Sequence, residues 1–425
     1  MSLQQIIAIV IFLCTMGAII TGKVHNTVAS LTGAACLVLT HILSIEDCID
    51  AVDVETICIL VGMMLLVAVI KNSGIFEYIA IKAAKIAKGR PWPIMVIFIL
   101  ITAVCSGMLD NVTTVLLVGP MTLAITNILK VDPVPYIITQ IMASNIGGTA
   151  TLIGDPPNIM IGSATGLTFF DFLMYDGPAV LLILIAAMIC FYFIYGRKMG
   201  VAEDKQASIM TLHAHEAIKS KSLFTKSVIM TAITAVAFVL HGAVHIEPSV
   251  VALGAAAIML ILSRAEVEEV LMDVEWSTIG FFAGLFVVVG GLAETGVIEM
   301  LANALIDATG GDLFLTIMIM VWASAIISSF LDNIPMVATL IPIILAIGNT
   351  GVDIMPYWWA ISLGACIGGI GTQIGASANV VLSGMSKTYG YPITFMEYTK
   401  VGFPVMLVFT AISCVYLVLR FCVFV

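Results

Sequence analysis

The chain has 425 residues, 61% of them hydrophobic and only 10% charged, against roughly 45–50% and 25% in an ordinary soluble domain. A water-soluble fold of this length has no means of hiding that much apolar surface. A soluble enzyme, a nucleic-acid binder and a disordered chain are therefore excluded, which leaves an all-α polytopic membrane protein. The net charge of −10 sits mostly in loops and points to no anionic partner.

A spanning helix needs about 20 mostly apolar residues. In chain order, single spans are predicted at 5–21, 27–44, 56–71, 178–196, 223–241, 249–263, 277–293 and 402–424. Residues 5–20 lack a basic stretch before them and read as a first span, not a cleaved signal. Residues 76–90 and 298–311 read as interfacial helices, Lys82, Lys85 and Lys88 marking the polar face of the first. Residues 94–129 and 313–348 are apolar except for Asp110-Asn111 and Asp332-Asn333 at their centres, so each reads as a re-entrant hairpin with an Asp-Asn tip. Residues 136–166 and 357–386 are interrupted by Gly, Pro and polar residues and read as broken helices. Residues 197–222, with Glu203, Asp204, Lys205, His213, His215 and Glu216, read as a solvated cytoplasmic linker. Its two histidines at i, i+2 do not share a helix face, and the nine cysteines form no CxxC pair, so no metal site or disulfide framework is expected.

With the N-terminus outside, 16 of the 17 basic residues fall on the inner side, Arg420 being the exception. The positive-inside rule then places both termini outside the cell membrane and the linker in the cytoplasm.

The chain is also duplicated. "DVE" at 53–55 recurs at 273–275, "LDN" at 109–111 recurs at 331–333, and "IGGTATLIGDPPN" at 146–158 recurs as "IGGIGTQIGASAN" at 367–379. Gly22, Val24 and His25 recur as Gly242, Val244 and His245, Pro120 as Pro342, and Pro178 as Pro404. The expected organisation is a first repeat over 1–196, the linker over 197–222 and a second repeat over 223–425. Each repeat holds five crossings plus one hairpin. An odd number of crossings inverts the second copy, an arrangement common in secondary transporters, whose binding sites lie at discontinuous helices near the midplane.

Three acids lie deep in apolar sequence, Asp110, Asp155 and Asp332, with no Lys or Arg at comparable depth. A charge there costs at least ~2.5–3.5 kcal/mol, which makes an intramembrane carboxylate a functional candidate; a capping role is compatible with it. A half-helix over 94–109 is about 24 Å long against a hydrocarbon core of about 30 Å, so the tips are expected to stop inside, Asp110-Asn111 beside Asp332-Asn333. Thr113 and Thr114 follow the first tip. Ser144, Asn145, Gly147, Gly148, Thr149, Thr151, Gly154, Asp155 and Asn158 line the first break; Gly368, Gly369, Gly371, Thr372, Gln373, Gly375, Ser377 and Asn379 line the second. Pro156-Pro157 stops the helix and removes two donors. The counterpart of Asp155 is Ala376, and that asymmetry marks Asp155 for a proton or sodium step. Cys105 and Cys366 are the thiols nearest the site; strong thiolate bonds to trivalent arsenic would slow release.

The stretches "SNIGGTATLIGDPPN", "LDNVTTVLLVGP", "LDNIPMVATLIPI" and "IGASANV" resemble the arsenite-permease and melanosomal P-protein branch of the ion-transporter superfamily, which also holds sodium/proton antiporters and dicarboxylate or citrate carriers. The resemblance covers essentially the whole chain. It implies an elevator-type carrier, usually a homodimer, with room for a separate ATPase subunit. It further implies binding by Asp110, Asn111, Thr113, Asn145, Gly148, Thr149, Gly154, Asn158, Asp332, Asn333, Thr372, Gly375 and Asn379. In the dicarboxylate carriers the tips read Ser-Asn-Thr; here they read Asp-Asn, which puts carboxylates where an anion would sit.

The expected function is secondary active transport without enzymatic activity or cofactor. Proton-coupled efflux of arsenite or antimonite leads, since neutral arsenous acid can bond to carboxylate, amide and threonine groups. A sodium/proton antiporter fits the same carboxylates at least as well. A dicarboxylate or citrate carrier is disfavoured unless sodium supplies the missing positive charge. No GxxxxGK[ST] motif is present for an ATP-driven pump. Residues 152–155 read Leu-Ile-Gly-Asp where an intramembrane aspartyl protease would want Gly-x-Gly-Asp. A channel would lack saturable counterflow.

Overall fold

The computed structural model describes residues 1–200 and 203–423; the side chains of Glu203, Asp204 and Lys205 lie outside the described residues. Among the described residues the chain is helical, with no strand. The first half runs through α1 (Leu3–Thr21), α2 (Asn26–Leu39), α3 (Ile45–Ala51), α4 (Val54–Lys71), α5 (Ile75–Ile86), α6 (Pro91–Leu109), α7 (Asn111–Leu129), α8 (Val134–Thr149), α9 (Pro156–Thr165), α10 (Phe169–Tyr175) and α11 (Gly177–Ile194). After α12 (Glu203–Met210) come α13 (Lys221–Leu240), α14 (Pro248–Ser263), α15 (Val267–Met272), α16 (Trp276–Glu294), α17 (Val297–Thr309), α18 (Leu313–Ser328), α19 (Asn333–Gly348), α20 (Met355–Gly368), α21 (Ser377–Thr388) and α22 (Phe395–Val418). Among the described residues eight of these (α1, α4, α6, α7, α11, α13, α16 and α22) are long and apolar enough to cross a bilayer, and α2, α14, α18 and α19 are apolar but shorter. The chain is a multi-pass membrane protein.

Among the described residues outside the linker, the two halves match α-helix by α-helix, with α10 alone lacking a counterpart. Their contacts match as well. α2 packs on α16 as α14 packs on α4, α7 on α21 as α19 on α9, and α6 along α8 as α18 along α20. Each pair is the image of the other when the halves are exchanged, which is what two inverted copies of one fold produce. The last pairing runs at backbone contact and needs glycine. A Cβ on Gly147 would lie 2.1 Å from the Ala103 carbonyl oxygen, and one on Gly368 would lie 2.5 Å from that of Ala325.

Three features depart from the sequence expectations. First, α6 begins at Pro91 and has 19 residues, about 28 Å at 1.5 Å each, so its tip is sheltered by surrounding helices and not by shortness. Proline at the first helical position starts the helix early, where its missing N–H has no intrahelical partner to lose. Second, α3, α10 and α15 are short helices in the connections between the predicted segments, where no element was expected. Third, the 197–222 stretch is docked rather than solvated. Ile209 and Ala214 are buried, and Lys85 Nζ, on α5, donates to the Leu212 carbonyl at 2.7 Å.

Candidate functional site

Both hairpins reverse at an aspartate whose carboxylate caps the returning helix. Asp110 takes φ 137°, a region that an L side chain adopts only when its surroundings hold it there. Its Oδ1 accepts from Thr113 N at 2.7 Å and its Oδ2 from Thr113 Oγ1 at 2.5 Å, filling donors at the free end of α7. Asp332 caps α19 through Ile334 N at 3.2 Å, while its Oδ2 accepts from Ser377 Oγ in the second break at 2.8 Å. Asn333 N donates to the Gly375 carbonyl at 3.2 Å. All four tip residues are buried.

The breaks free backbone carbonyls of buried residues, and each must find a donor. The same side chains supply them in both halves. Asn158 Nδ2 donates to the carbonyls of Thr149 and Thr151 at 3.1 and 3.0 Å; Asn379 Nδ2 donates to those of Gly369 and Thr372 at 2.7 and 2.8 Å. Thr151 Oγ1 bonds to the Gly107 carbonyl, as Thr372 Oγ1 does to that of Ser329. Ser106 and Ser328 tie their hairpins to Ser144 and Ala365 in the same way, at 2.6 and 2.7 Å. The breaks meet where Asn145 Nδ2 donates to Asn379 Oδ1 at 2.9 Å. The image of that bond is Cys366 Sγ against Asn158 Oδ1 at 3.7 Å.

These bonds divide the residues singled out from the sequence. Asp110, Asn111, Asp155 and Asn333 line one small central cavity together with Leu60, Met64, Glu275, Thr278 and Ser377. Asp332 lines a wider cavity that shares Glu275, Thr278 and Ser377 and opens along Gly22–Thr27. Asn158, Thr372 and Asn379 spend their side chains on the breaks, and Asn145 joins them. Thr149 Oγ1 bonds within its own helix to the Asn145 carbonyl. Thr113 serves the Asp110 cap. Gly148, Gly154 and Gly375 let the backbone strands of the breaks approach each other. Cys366 stands behind Asn158, whereas Cys105 is not among the residues lining the central cavity.

The electrostatics are one-sided. Among the described residues the buried charged side chains are Asp110, Asp155, Asp176 and Asp332, with no buried Lys or Arg. The donors near the cavity are already committed. Asn333 Nδ2 lies 3.1 Å from both oxygens of Asp155, Thr278 Oγ1 donates to Glu275 Oε2 at 3.0 Å, and Ser377 is held by Asp332. Asn111 Nδ2 reaches Asn145 Oδ1 at 3.5 Å, while Asn111 Oδ1 has no partner. The space left is about that of one water molecule.

Two acids escaped the sequence reading. Glu275 closes the repeated "DVE" motif, and that repetition was the available signal; its twin Glu55 lies elsewhere, 3.4 Å from Ser163 Oγ, beside Asp53. Asp176 sits at the start of α11 and looks like a loop residue in the sequence, yet it is fully buried.

A family model described as citrate transporter matches residues 16–364. An uncharacterised transporter of Mycobacterium tuberculosis is 41% identical over 98% of this chain and 99% of its own. The human P protein is 32% identical over 97% of this chain, which spans 60% of the P protein's length. Among solved structures, the YdaH transporter of Alcanivorax borkumensis superposes with a TM-score of 0.59 at 14% identity, over 84% of each chain; at that identity the likeness concerns the fold alone.

Proposed function

The chain belongs to the citrate-transporter family, and from that premise we propose a secondary active carrier that exchanges protons against a small monovalent cation such as sodium. One observation carries this reading. The central cavity offers lone pairs from Asp110, Asn111 and Asp155, its nearby side-chain donors Asn333, Thr278 and Ser377 are already committed to acids, and no basic side chain is buried among the described residues. Such a cavity accepts protons and cations, and it holds about one water-sized particle. Buried carboxylates cannot all stay ionised at once without a counter-charge, so the cation and the proton compete for the same oxygens and exchange follows.

Arsenite efflux against protons is the second reading. Arsenous acid presents hydroxyl donors to the same acceptors, and the Cys366 thiol lies one layer behind them. Citrate would bring three more carboxylates to Asp110, Asp155 and Asp332, and it needs accompanying cations to enter. For alternating access we propose an elevator-like exchange of the two halves' arrangements in the cell membrane, with both termini outside and the wide cavity along Gly22–Thr27 open to the cytoplasm. In the opposite state Glu55 takes the place beside the site that Glu275 holds here.

Proteoliposomes loaded with a pH dye separate the three cargoes. A sodium gradient is expected to drive proton movement through the wild-type chain and not through Asp155→Asn. Proton movement driven by arsenite or citrate, with none driven by sodium, rejects the cation reading.

A further inference from the structure

Asp176 is fully buried and plays no part in the reading above. Its Oδ2 lies 2.5 Å from Ser362 Oγ on α20, and the same Oγ lies 2.7 Å from Asn158 Oδ1. The orientation of the Asn158 amide is set by its network, because Nδ2 is the atom that donates to the Thr149 and Thr151 carbonyls. The oxygen facing Ser362 is therefore an acceptor. A serine hydroxyl carries one proton and can satisfy one of the two contacts. The second contact needs another proton, and of the three groups only the Asp176 carboxyl can bring it.

We infer that Asp176 is a proton-binding site, occupied in this state, whose occupancy Ser362 passes to the first helix break. With the proton on, Asp176 Oδ2–H donates to Ser362 Oγ and Ser362 donates to Asn158 Oδ1. When the proton leaves to water, one O–H bond breaks and Ser362 turns its single hydrogen to Asp176 Oδ2. Asn158 Oδ1 then keeps only the weak Cys366 S–H contact, and the support under the break that carries Asp155 is loosened. The toggle needs no proton transfer through the Asn158 amide.

The groups around Asp176 allow the ionised form to exist. Arg420 acts on it electrostatically from the turn that extends α22. At present that guanidinium donates to the Met174 carbonyl at 3.1 Å and to Tyr416 Oη at 2.6 Å, and stacks 4.1 Å from the Tyr175 ring centre. Asp176 Oδ1 has no partner among the described residues and is the acceptor for a charge that develops there. Cys366 on α20 and Tyr416 on α22 also act on Asp176 electrostatically, and Tyr416 Oη donates to the Tyr175 carbonyl at 2.7 Å. Arg420 is also the one basic residue that the charge pattern placed outside, so the site is expected to exchange protons with the outer solution.

The inference uses the proton-coupled reading only for its consequence, and the site is testable without cargo. Infrared difference spectra of the reconstituted full chain across a pH titration report the C=O stretch of protonated carboxyls. Asp176→Asn is expected to remove one such band present at neutral pH, Ser362→Ala to shift it, and Asp155→Asn to leave it in place. In transport, Ser362→Ala is expected to lose its dependence on outside pH. Identical spectra for wild type and Asp176→Asn overturn the inference even if transport is proton-coupled. A band that obeys these rules in a protein that moves no protons keeps the site and rejects the carrier reading. Should Asp176→Asn not fold, an unshifted band and an unchanged pH profile in Ser362→Ala overturn the inference on their own.

Discussion

The two helix breaks share one scaffold and differ in a few side chains. Asn158 and Asn379 hold the freed carbonyls, Thr151 and Thr372 tie the breaks to their hairpins, and Gly147 and Gly368 admit the helix behind. Only the first break has Asp155, where the second has Ala376, and only the second has Cys366, where the first has Asn145. The bracing is duplicated because the carbonyls that the breaks free belong to buried residues, and a buried peptide group needs a partner. The carboxylate is not duplicated, because a further buried acid would add a desolvation cost and another like charge beside Asp110 and Asp332. Duplication preserved the backbone, and divergence placed the chemistry in one copy.

The largest expected effect falls on that difference. Asp155→Asn should lower the initial exchange rate in proteoliposomes by ~100-fold, since a hydrogen bond to a charged group is worth up to about 3 kcal/mol; Ala376→Ser should change it less than ~2-fold. Equal losses in the two variants would break the comparison. Where the copies agree, they should fail alike. Gly147→Ala and Gly368→Ala each press a methyl into a backbone carbonyl and should destabilise by about 2 kcal/mol, read as a lower unfolding midpoint in detergent.

The scaffold acids sharpen the same contrast. Glu275→Gln should weaken apparent cation affinity ~10-fold, about 1.4 kcal/mol, when the cation is offered from the side that opens along Gly22–Thr27; Glu55→Gln should have that effect from the other side only. Flux measured from both faces of oriented vesicles decides it, and a Glu55 variant silent from both faces sinks the exchange of halves. The smallest effect is Cys366→Asn, which gives the second break the amide that the first has at Asn145. An amide donor in place of a weak thiol should add about 1 kcal/mol of stability and leave cation exchange intact. Loss of any arsenite sensitivity in that variant would trace arsenite to the thiol.

The outline of the candidate site was readable in the amino-acid order, but the role of each residue was not. Asn158 and Asn379 look like ligands as sequence because polar residues beside a helix break are where ligands are found, yet in three dimensions their amides are consumed by carbonyls 7 to 10 residues back. Glu275 sits at the start of a span and looks like an interfacial residue. It reaches the cavity because α16 begins beside the first tip. Asp176 is buried by α20, nearly 190 residues later in the chain.

Spans, hairpins, breaks and the internal duplication follow from the order of residues alone, because each is a local matter: an apolar run of a given length, an Asp-Asn or Gly-Pro interruption, a motif repeated at a steady offset. Tertiary structure decided which lone pairs stay free. Asn333 lies beside Asp155 across 178 positions, Asn379 accepts from Asn145 across 234, and Ser362 stands between Asn158 and Asp176. Hydrogen bonds between such distant partners saturate some of the polar groups placed in the membrane, and only the packing of the two halves determines which are left for cargo.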